Sequence, residues 1–192
     1  MFSEPTDNEM ESLIALFGKP EKRFVRMQAD EYLIQTRRMR ANKRRGEIVI
    51  ALQRPENRIL LHRKSWYEPG VYRLPTGGIK QDEGIADALE RELREETGLN
   101  MLQAAFLGIL QVELVADQAN IRFDSYVFHV MRAEGNVRLP ISHEDISDFQ
   151  DIEIEALPGV SMNLRAIAPP RRGWGHWRAI AHDFVYEKLR SM

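Results

Sequence analysis

The fold is decided by residues 77–99, which read GGIKQDEGIADALERELREETGL. Spacings of four residues predict a helix with one apolar face. That face consists of Ile85, Leu89 and Leu93. Glu92 and Glu96 continue the same stripe, and Glu95 lies at its edge. Three carboxylates therefore lie along or beside the helix face that should be buried.

These three glutamates need a physical explanation, because like charges at this spacing repel and partial burial strengthens the repulsion. A divalent cation would remove the repulsion, and carboxylate oxygens suit a hard ion such as Mg²⁺ or Mn²⁺. The alternative is a solvated acidic helix end, since runs of acidic residues are usually exposed to water. The spacing alone leaves both interpretations open.

The flanking residues favour a ligand site. Residues 72–74 are typical of a strand, and a proline and the pair Gly77 and Gly78 follow them. Glycines at this place let the backbone approach a ligand or a metal closely. The helix is expected to begin near Gly84 and to end at Gly98, because glycine suits the position after the last helical turn. The segment is therefore predicted to form a strand, a loop and a helix.

At this point the stretch closely resembles the Nudix box, whose pattern is G-x5-E-x7-R-E-U-x-E-E-x-G-U, with U a bulky aliphatic residue. Every fixed position is matched, which is not expected by chance. The matching residues are Gly77, Glu83, Arg91, Glu92, Leu93, Glu95, Glu96, Gly98 and Leu99. The resemblance implies an α/β fold of the Nudix type, an α/β/α sandwich with a mixed β-sheet. It also implies a hydrolase activity. In that reaction, a metal-activated water cleaves a nucleoside diphosphate that is linked to another moiety.

The resemblance further implies a set of metal ligands for Mg²⁺ or Mn²⁺. Glu92 and Glu96 are expected to be the main ligands. Glu95 is expected to act in catalysis, as a further ligand or as a contact to the reacting water. A backbone carbonyl at Thr76 or Gly77 is expected to complete the set.

Other roles are implied around the box. Glu83 and Arg91 are expected to form a salt bridge that orients the loop, so both are structural. Some relatives use a box glutamate as general base, and others use a glutamate on a later loop. Glu144, in the sequence ISHEDISDF, is the best match to that loop glutamate. The alternative for Glu144 is an ordinary exposed acid, and His143 and Asp145 are weaker candidates.

The loop at residues 64–71, KSWYEPGV, is a candidate for substrate binding. Its aromatic residues could stack on a base, and the neighbouring cations could hold phosphates. The candidates are Arg63, Tyr67 and Arg73, although arginines on strands are often simply solvated. Trp66 is instead expected to cover the edge of the sandwich.

The composition bounds the class of protein. The chain has 192 residues, a net charge of −2 and 43% apolar residues, which fits one globular domain with an appendage. The absence of cysteine excludes disulfides, thiolate metal sites and a cysteine nucleophile. The balanced charge argues against a nucleic-acid partner. No secretory signal and no apolar run of membrane-spanning length is seen, so a cytoplasmic protein is expected.

Residues 1–45 are predicted to be an N-terminal helical extension, followed by a Nudix hydrolase domain at 46–192. Helices are expected at 9–17 and at about 30–39, each with an apolar face that must be buried. Because relatives of this family are often dimers, we expect a homodimer that uses this segment, although packing within one chain is the alternative. Deletion of residues 1–42 should then leave a soluble core.

A basic cluster comprises Arg37, Arg38, Arg40, Lys43, Arg44 and Arg45. A solvated helix end is favoured for this cluster over a phosphate or nucleic-acid patch.

The remaining chain supplies the rest of the predicted sheet. Strands are expected at 47–52, 58–62, 102–115 with a bend near Gly108, 121–131 and 151–154. Residues 157–159 and 168–173 are expected to interrupt regular structure. A closing helix is expected at 176–190.

The substrate is the least determined part of the prediction. ADP-ribose hydrolases of this family often carry a proline about sixteen residues past the box, and dinucleoside-polyphosphate hydrolases a tyrosine about seventeen residues past it. Val115 and Ala116 stand at those places. Besides a metal-dependent pyrophosphohydrolase, two other classes remain open. One is a nucleotide-binding regulatory or sensing module without turnover, and the other is a scaffold with a decayed site.

Overall fold

The computed structural model describes residues 5–41, 43–116, 119–140 and 145–192. These residues form five α-helices and seven β-strands. The helices are α1 (Asp7–Phe17), α2 (Glu31–Ala41), α3 (Ile85–Thr97), α4 (Leu157–Arg165) and α5 (Arg172–Leu189). The strands are β1 (Glu21–Gln28), β2 (Arg44–Arg54), β3 (Arg58–Lys64), β4 (Thr76–Lys80), β5 (Asn100–Ala116), β6 (Ala119–Glu134) and β7 (Ile146–Glu153).

The strands form one mixed sheet in the order β1-β5-β6-β2-β3-β7, with β4 paired to β2. The β1–β5 and β2–β6 pairs are parallel, and the other pairs are antiparallel. Alternate residues of β2 point to opposite faces of the sheet. Ile48 and Ile50 join one core with α1 and α3, whereas Val49 and Ala51 join the other core with α2, α4 and α5. The predicted α/β/α sandwich with a mixed sheet is therefore confirmed.

The helix of the box, α3, follows the sequence closely. It begins after Gly84 and ends before Gly98, which adopts a left-handed conformation with φ of 79° that glycine tolerates without strain. Its apolar stripe of Ile85, Leu89 and Leu93 packs into the core on that face of the sheet. The helix therefore has a fixed rotation, and this rotation decides where its glutamates point.

Three features of the fold were not expected from the sequence. Strand β1 lies between the two predicted N-terminal helices and pairs in parallel with β5. Helix α4 begins at Leu157, where a chain break was expected, because proline is well tolerated in the first turn of a helix. Strand β7 begins at Ile146, five residues before the predicted start.

The N-terminal helices bury their apolar faces within the same chain. Leu13 of α1 packs against the core beneath α3, and Leu33 of α2 packs beneath α5. These faces therefore do not require a second copy, and the homodimer stays a prediction. None of the helices in the described ranges is long and apolar enough to cross a membrane.

The basic cluster is not the solvated helix end that the sequence favoured. Arg37 and Arg45 are buried, with 2% and 9% of their surface exposed, whereas Arg38 is exposed. Arg37 lies on the face of α2 that packs towards α5, four residues after the buried Leu33. Arg45 is buried against Glu9 of α1. The prediction of a solvated cluster is therefore wrong for these two residues.

Candidate active site

Two of the three box glutamates on α3, Glu92 and Glu96, are buried and do not form a solvated helix end. Glu92 and Glu96 are 5% and 1% exposed, because they continue the apolar stripe that faces the sheet. Glu95 lies at the edge of that stripe, and 48% of its side chain is exposed. Two buried carboxylates one turn apart repel unless a cation or a donor compensates them.

Arg91 supplies much of that compensation. Its Nε and Nη2 donate to the two carboxylate oxygens of Glu83 at 2.5 and 2.8 Å. Its Nη1 donates to Glu92 at 2.7 Å and to Glu95 at 2.8 Å. These bonds raise the pKa of Arg91, with Glu83 making the largest contribution. Arg91 therefore contacts the acidic face directly, in addition to the partner, Glu83, that the family pattern suggested.

The carboxyl group of Glu92 packs directly on the backbone of β4. A Cβ atom on Gly77 would lie 1.7 Å from Cδ and 1.9 Å from Oε2 of Glu92, so only glycine leaves room for this carboxylate. The next residue, Gly78, leaves room for the guanidinium of Arg44 in the same way, at 2.3 Å from Nε. Gly77 and Gly78 therefore let a carboxylate and a guanidinium lie against the strand.

Glu96 points into the interior of the protein. Its Oε2 lies 3.7 Å from Nδ1 of His62, which is fully buried on β3. Burial, followed by the charge of Arg73, holds the pKa of His62 well below its usual range, so the ring is neutral at physiological pH. Glu96 thus faces a neutral ring rather than an imidazolium cation.

A cavity of about 220 Å³ adjoins the box. Residues of α2, β2, β3, β4, α3, α5 and the loop after β3 line it. Among the described residues, its lining is cationic and aromatic and contains one carboxylate. The lining residues are Tyr32, Thr36, Arg37, Arg44, Lys64, Trp66, Tyr67, Arg73, Thr76, Gly77, Gly78, Glu92, Trp174 and Arg178. Such a lining is suited to a phosphorylated ligand.

Two of the three predicted substrate-binding residues line this cavity. Arg73 is buried and donates to the hydroxyl of Tyr67 at 2.5 Å and to Oγ1 of Thr76 at 2.7 Å. Arg63 is absent from the lining, because it faces away from its neighbour His62 on the strand and lies near Tyr72. Glu144, the predicted general base, lies outside the described residues, as does His143.

His182 holds the backbone just before the box in place by hydrogen bonds. Its Nε2 accepts from the backbone N–H of Leu74 at 2.9 Å, and its Nδ1 donates to the carbonyl of Arg178 at 2.9 Å. Burial lowers the pKa of His182 to about 4. The neutral ring therefore joins α5 to the segment that leads into β4.

Several cavity residues were not identified from the sequence. They are Tyr32, Arg37, Arg44, Lys64, Trp174 and Arg178. Arg44 belongs to the basic cluster, three residues before a predicted strand, and Lys64 directly follows Arg63, so their positions held a local signal. Arg37 and Arg178 come from helices far apart in the chain, and no local pattern brings them together.

The acidic residues provide a donor set suited to a hard divalent cation. Oxygens of Glu92 and Glu95 meet at one nitrogen of Arg91, and Glu92, Thr76 and Gly77 all face the cavity. Oxygen donors of this kind are those that Mg²⁺ and Mn²⁺ prefer. Within the described part of the chain, no three Asp, Glu or His side chains are already gathered as a metal cluster. Glu92, Thr76 and Gly77 thus fit such an ion by chemistry and by position, whereas Glu95 and Glu96 fit it by chemistry and lie outside the cavity lining.

A fold of this kind, with a box of glycines, glutamates and an arginine beside a cationic cavity, defines a class of proteins. The family profile of the NUDIX domain matches residues 43–177. The chain belongs to the NUDIX family.

Solved structures agree with this fold. The MutT NUDIX hydrolase from Burkholderia pseudomallei is 20% identical, with a TM-score of 0.50 over 72% of this chain and 95% of that one. An ADP compounds hydrolase is 17% identical, with a TM-score of 0.53 over 76% of this chain and 73% of that one. No curated protein sequence matches the chain.

Proposed function

We propose that the protein is a metal-dependent hydrolase that cleaves the diphosphate bond of a nucleoside diphosphate linked to another group. The observation that carries the proposal is the position of Glu92. Its carboxylate lies on Gly77 at the wall of a cavity whose other charged residues, among those that the structure describes, are cationic. Membership of the NUDIX family supports the same reaction.

The proposed cofactor is Mg²⁺ or Mn²⁺. Glu92, Glu95 and Glu96, with a backbone carbonyl at Thr76 or Gly77, are the residues that would hold it. When bound, such an ion neutralises phosphate charge and lowers the pKa of a water molecule.

The protein's own residues would bind and orient the diphosphate. Arg44 and Lys64 present cationic groups to the cavity. Arg73 is held rigid by Tyr67 and Thr76, so it offers a fixed positive charge. A carboxylate must also take a proton from the attacking water. Glu144 and the box glutamates remain the proposed candidates for this step.

The proposal is tested with a panel of nucleoside diphosphate derivatives in the presence of Mg²⁺ or Mn²⁺, with detection of nucleotide and phosphate products. ADP-linked compounds belong in the panel because one of the similar folds is an ADP compounds hydrolase. Glu92→Gln and Glu96→Gln should each reduce turnover by about 10²-fold or more, because each keeps the shape of the side chain and loses a ligand charge. Glu90→Gln, on the exposed side of the same helix, is the matched control.

Substitution of two glycines, one at the box and one distant from it, gives a second test. Gly77→Ala should reduce turnover strongly, because the new methyl group would occupy the place of the Glu92 carboxylate. Gly159→Ala on α4 has no heavy atom within 4 Å of the new Cβ and should leave turnover unchanged. Turnover by the Glu92 and Glu96 variants at the parental rate would contradict the assignment. Tight binding of panel compounds without products would identify a sensing module instead.

A further inference from the structure

We propose that Trp66 is the stacking platform for the nucleobase of the substrate. This inference rests on the proposed function, because it takes the diphosphate to lie at the box. It adds the place of the base and the side chain that holds it. Every nucleoside diphosphate derivative carries a base, whatever its second group is. Stacking is available to every base, so the platform selects a flat aromatic group rather than one particular base.

The size of the cavity is the first observation. Its volume is about 220 Å³, whereas pockets that enclose whole small molecules are typically about 300 to 1,000 Å³. A nucleoside diphosphate derivative is therefore only partly enclosed. Because Glu92 and Gly77, which are proposed to hold the metal, line the cavity, the diphosphate is expected inside it. The base must then lie where the cavity opens to solvent.

Trp66 lies at that opening. It lines the cavity, and 44% of its surface is exposed. The chain has three tryptophans, and the other two, Trp174 and Trp177, are buried at 7% and 3% exposure. The sequence suggested that Trp66 covers the edge of the sandwich. A covering role does not account for an indole that lines a cavity with nearly half of its surface exposed.

Contacts within the protein hold this indole in place. Cζ of Arg171 lies 5.3 Å from the ring centroid of Trp66. Tyr67 packs edge to face with Trp66 at a centroid distance of 4.4 Å, and Trp174 lies tilted at 6.1 Å. A side chain that is already immobilised loses little conformational entropy when a ligand binds to it. Trp66 is therefore a pre-organised surface for a flat ligand.

The backbone of the same loop is anchored independently of the indole. Nη1 of Arg171 donates to the carbonyl of Trp66 at 3.0 Å, and the N–H of Tyr67 donates to the carbonyl of Lys64 at 3.0 Å. The hydroxyl of Tyr67 also accepts from Arg73 at 2.5 Å, which joins the loop to the wall of the cavity. None of these bonds uses the side chain of Trp66. Substitutions at Trp66 therefore test the ring while the loop stays anchored.

The test uses α,β-methylene-ADP and methylenediphosphonate, which differ by the adenosine group. Their bridging carbon prevents hydrolysis, so titration calorimetry can include Mg²⁺. Trp66→Ala should weaken the binding of α,β-methylene-ADP by about fivefold or more, because removal of a stacking side chain usually has at least that effect. The same variant should bind methylenediphosphonate as the parent does.

Three outcomes of the calorimetry would overturn the proposal. One is equal affinity of Trp66→Ala and the parent for α,β-methylene-ADP. Another is an equal loss of affinity for both ligands, because Trp66 would then support the diphosphate and not the base. The third is failure of the parent to bind α,β-methylene-ADP at millimolar concentration.

Fluorescence shows whether the contact is direct. Stacking of a base quenches indole emission, so α,β-methylene-ADP should quench the parent. Trp66→Phe should retain most of the affinity, because a phenyl ring still stacks, but it should lose the quenching. Phe24→Leu changes an exposed aromatic residue of the edge strand β1 and is the matched control, which should retain both. Quenching that persists in Trp66→Phe would assign the base to another indole and overturn the proposal.

This experiment is independent of turnover. If α,β-methylene-ADP stacks on Trp66 while no nucleotide of the panel is hydrolysed, the platform stands and the proposed hydrolysis fails. If products form while the Trp66 variants bind α,β-methylene-ADP as the parent does, the hydrolysis stands and the platform fails.

Discussion

Arg91 shows how one side chain organises an acidic helix. Its Nε and Nη2 contact Glu83, its Nη1 contacts both Glu92 and Glu95, and its Nη2 also donates to the carbonyl of Gly78 at 3.0 Å. Burial raises the pKa of Glu83, but hydrogen bonds from Arg91 and from the N–H of Lys80 lower it, and the lowering prevails. The box arginine thus joins the loop, the strand and the helix at one point.

His182 predicts a dependence of stability on pH. Its pKa is about 4 in the folded protein and near 6.5 in the unfolded chain. Below pH 6.5 the unfolded chain therefore binds more protons than the folded protein. The contribution of His182 to the free energy of unfolding is fully present above pH 6.5 and is lost as the pH falls towards 4. Between pH 7.5 and pH 5 the expected loss from His182 is about 2 kcal/mol.

The measurement is the free energy of unfolding in urea at these two pH values. His182→Gln should show a smaller decrease than the parent, because the titrating group is gone. His176→Gln, on the exposed side of the same helix, should decrease as the parent does. The same decrease in His182→Gln as in the parent would show that another group is responsible.

Single residues also show where the sequence is informative. Glu92 and Glu96 could be placed on the buried face because helical periodicity is a local property. The burial of Arg37 could not be predicted from its own segment, whose run of cations is typical of a solvated surface. Its environment is supplied by Trp177 of α5 and Phe123 of β6, which are distant in the chain.

Among the elements, α1 contributes directly to the start of α3, the helix of the box. The carboxylate of Glu9 accepts from the N–H of Ile85, the first residue of α3, at 2.9 Å. Glu9 also pairs with both terminal nitrogens of Arg45, whose Nε donates to the carbonyl of Glu83 at 3.0 Å. Because Gly84 has no side chain to cap α3, a residue from another helix provides the acceptor.

This contact predicts that Glu9→Ala destabilises the protein by about 2 kcal/mol, because Arg45 and the N–H of Ile85 lose a partly buried partner. Glu9→Gln should cost less, because its amide oxygen still accepts a hydrogen bond. Urea unfolding gives the values. Glu11→Ala, on the exposed side of α1, is the control. A loss in Glu9→Ala no larger than in this control would refute the capping role.

The elements differ in how well their sequences reveal them. Strand β2 has a run of buried aliphatic residues bounded by polar ones, and it was predicted. Strand β1 reads EKRFVRMQ, with charges on both faces, because only alternate side chains are covered at the edge of the sheet. Its strand conformation is stabilised by pairing with β5 and not by its own composition.

At the scale of the whole molecule, the described residues of the N-terminal segment, 5–41 and 43–45, are integrated with the residues that follow. Strand β1 pairs with β5 along its whole length from Glu21 to Gln28. Leu13 and Leu33 belong to the cores on opposite faces of the sheet, and α2 forms a wall of the cavity. The sequence suggested that deletion of residues 1–42 would leave a soluble core, but these contacts predict a different result.

Deletion of residues 1–42 should give a chain that aggregates or unfolds without a sharp transition, since it exposes both cores and one side of β5. Solubility and thermal unfolding measure this directly. Met39→Ala changes an exposed apolar residue of the deleted segment and should leave both unchanged. A soluble 43–192 fragment with cooperative unfolding would show that the segment is dispensable. Sedimentation of the full chain at high micromolar concentration separately tests the predicted homodimer.

The pairing of Arg178 with Glu47 joins residues 131 positions apart, and it has a consequence for synthesis. A ribosome releases the chain from its N-terminus, so β2, β4 and the acidic helix emerge long before α5 does. Until α5 arrives, Glu47 lacks its arginine and Leu74 lacks the imidazole that accepts its N–H. The nascent protein therefore carries the complete box for much of its translation without a finished cavity around it.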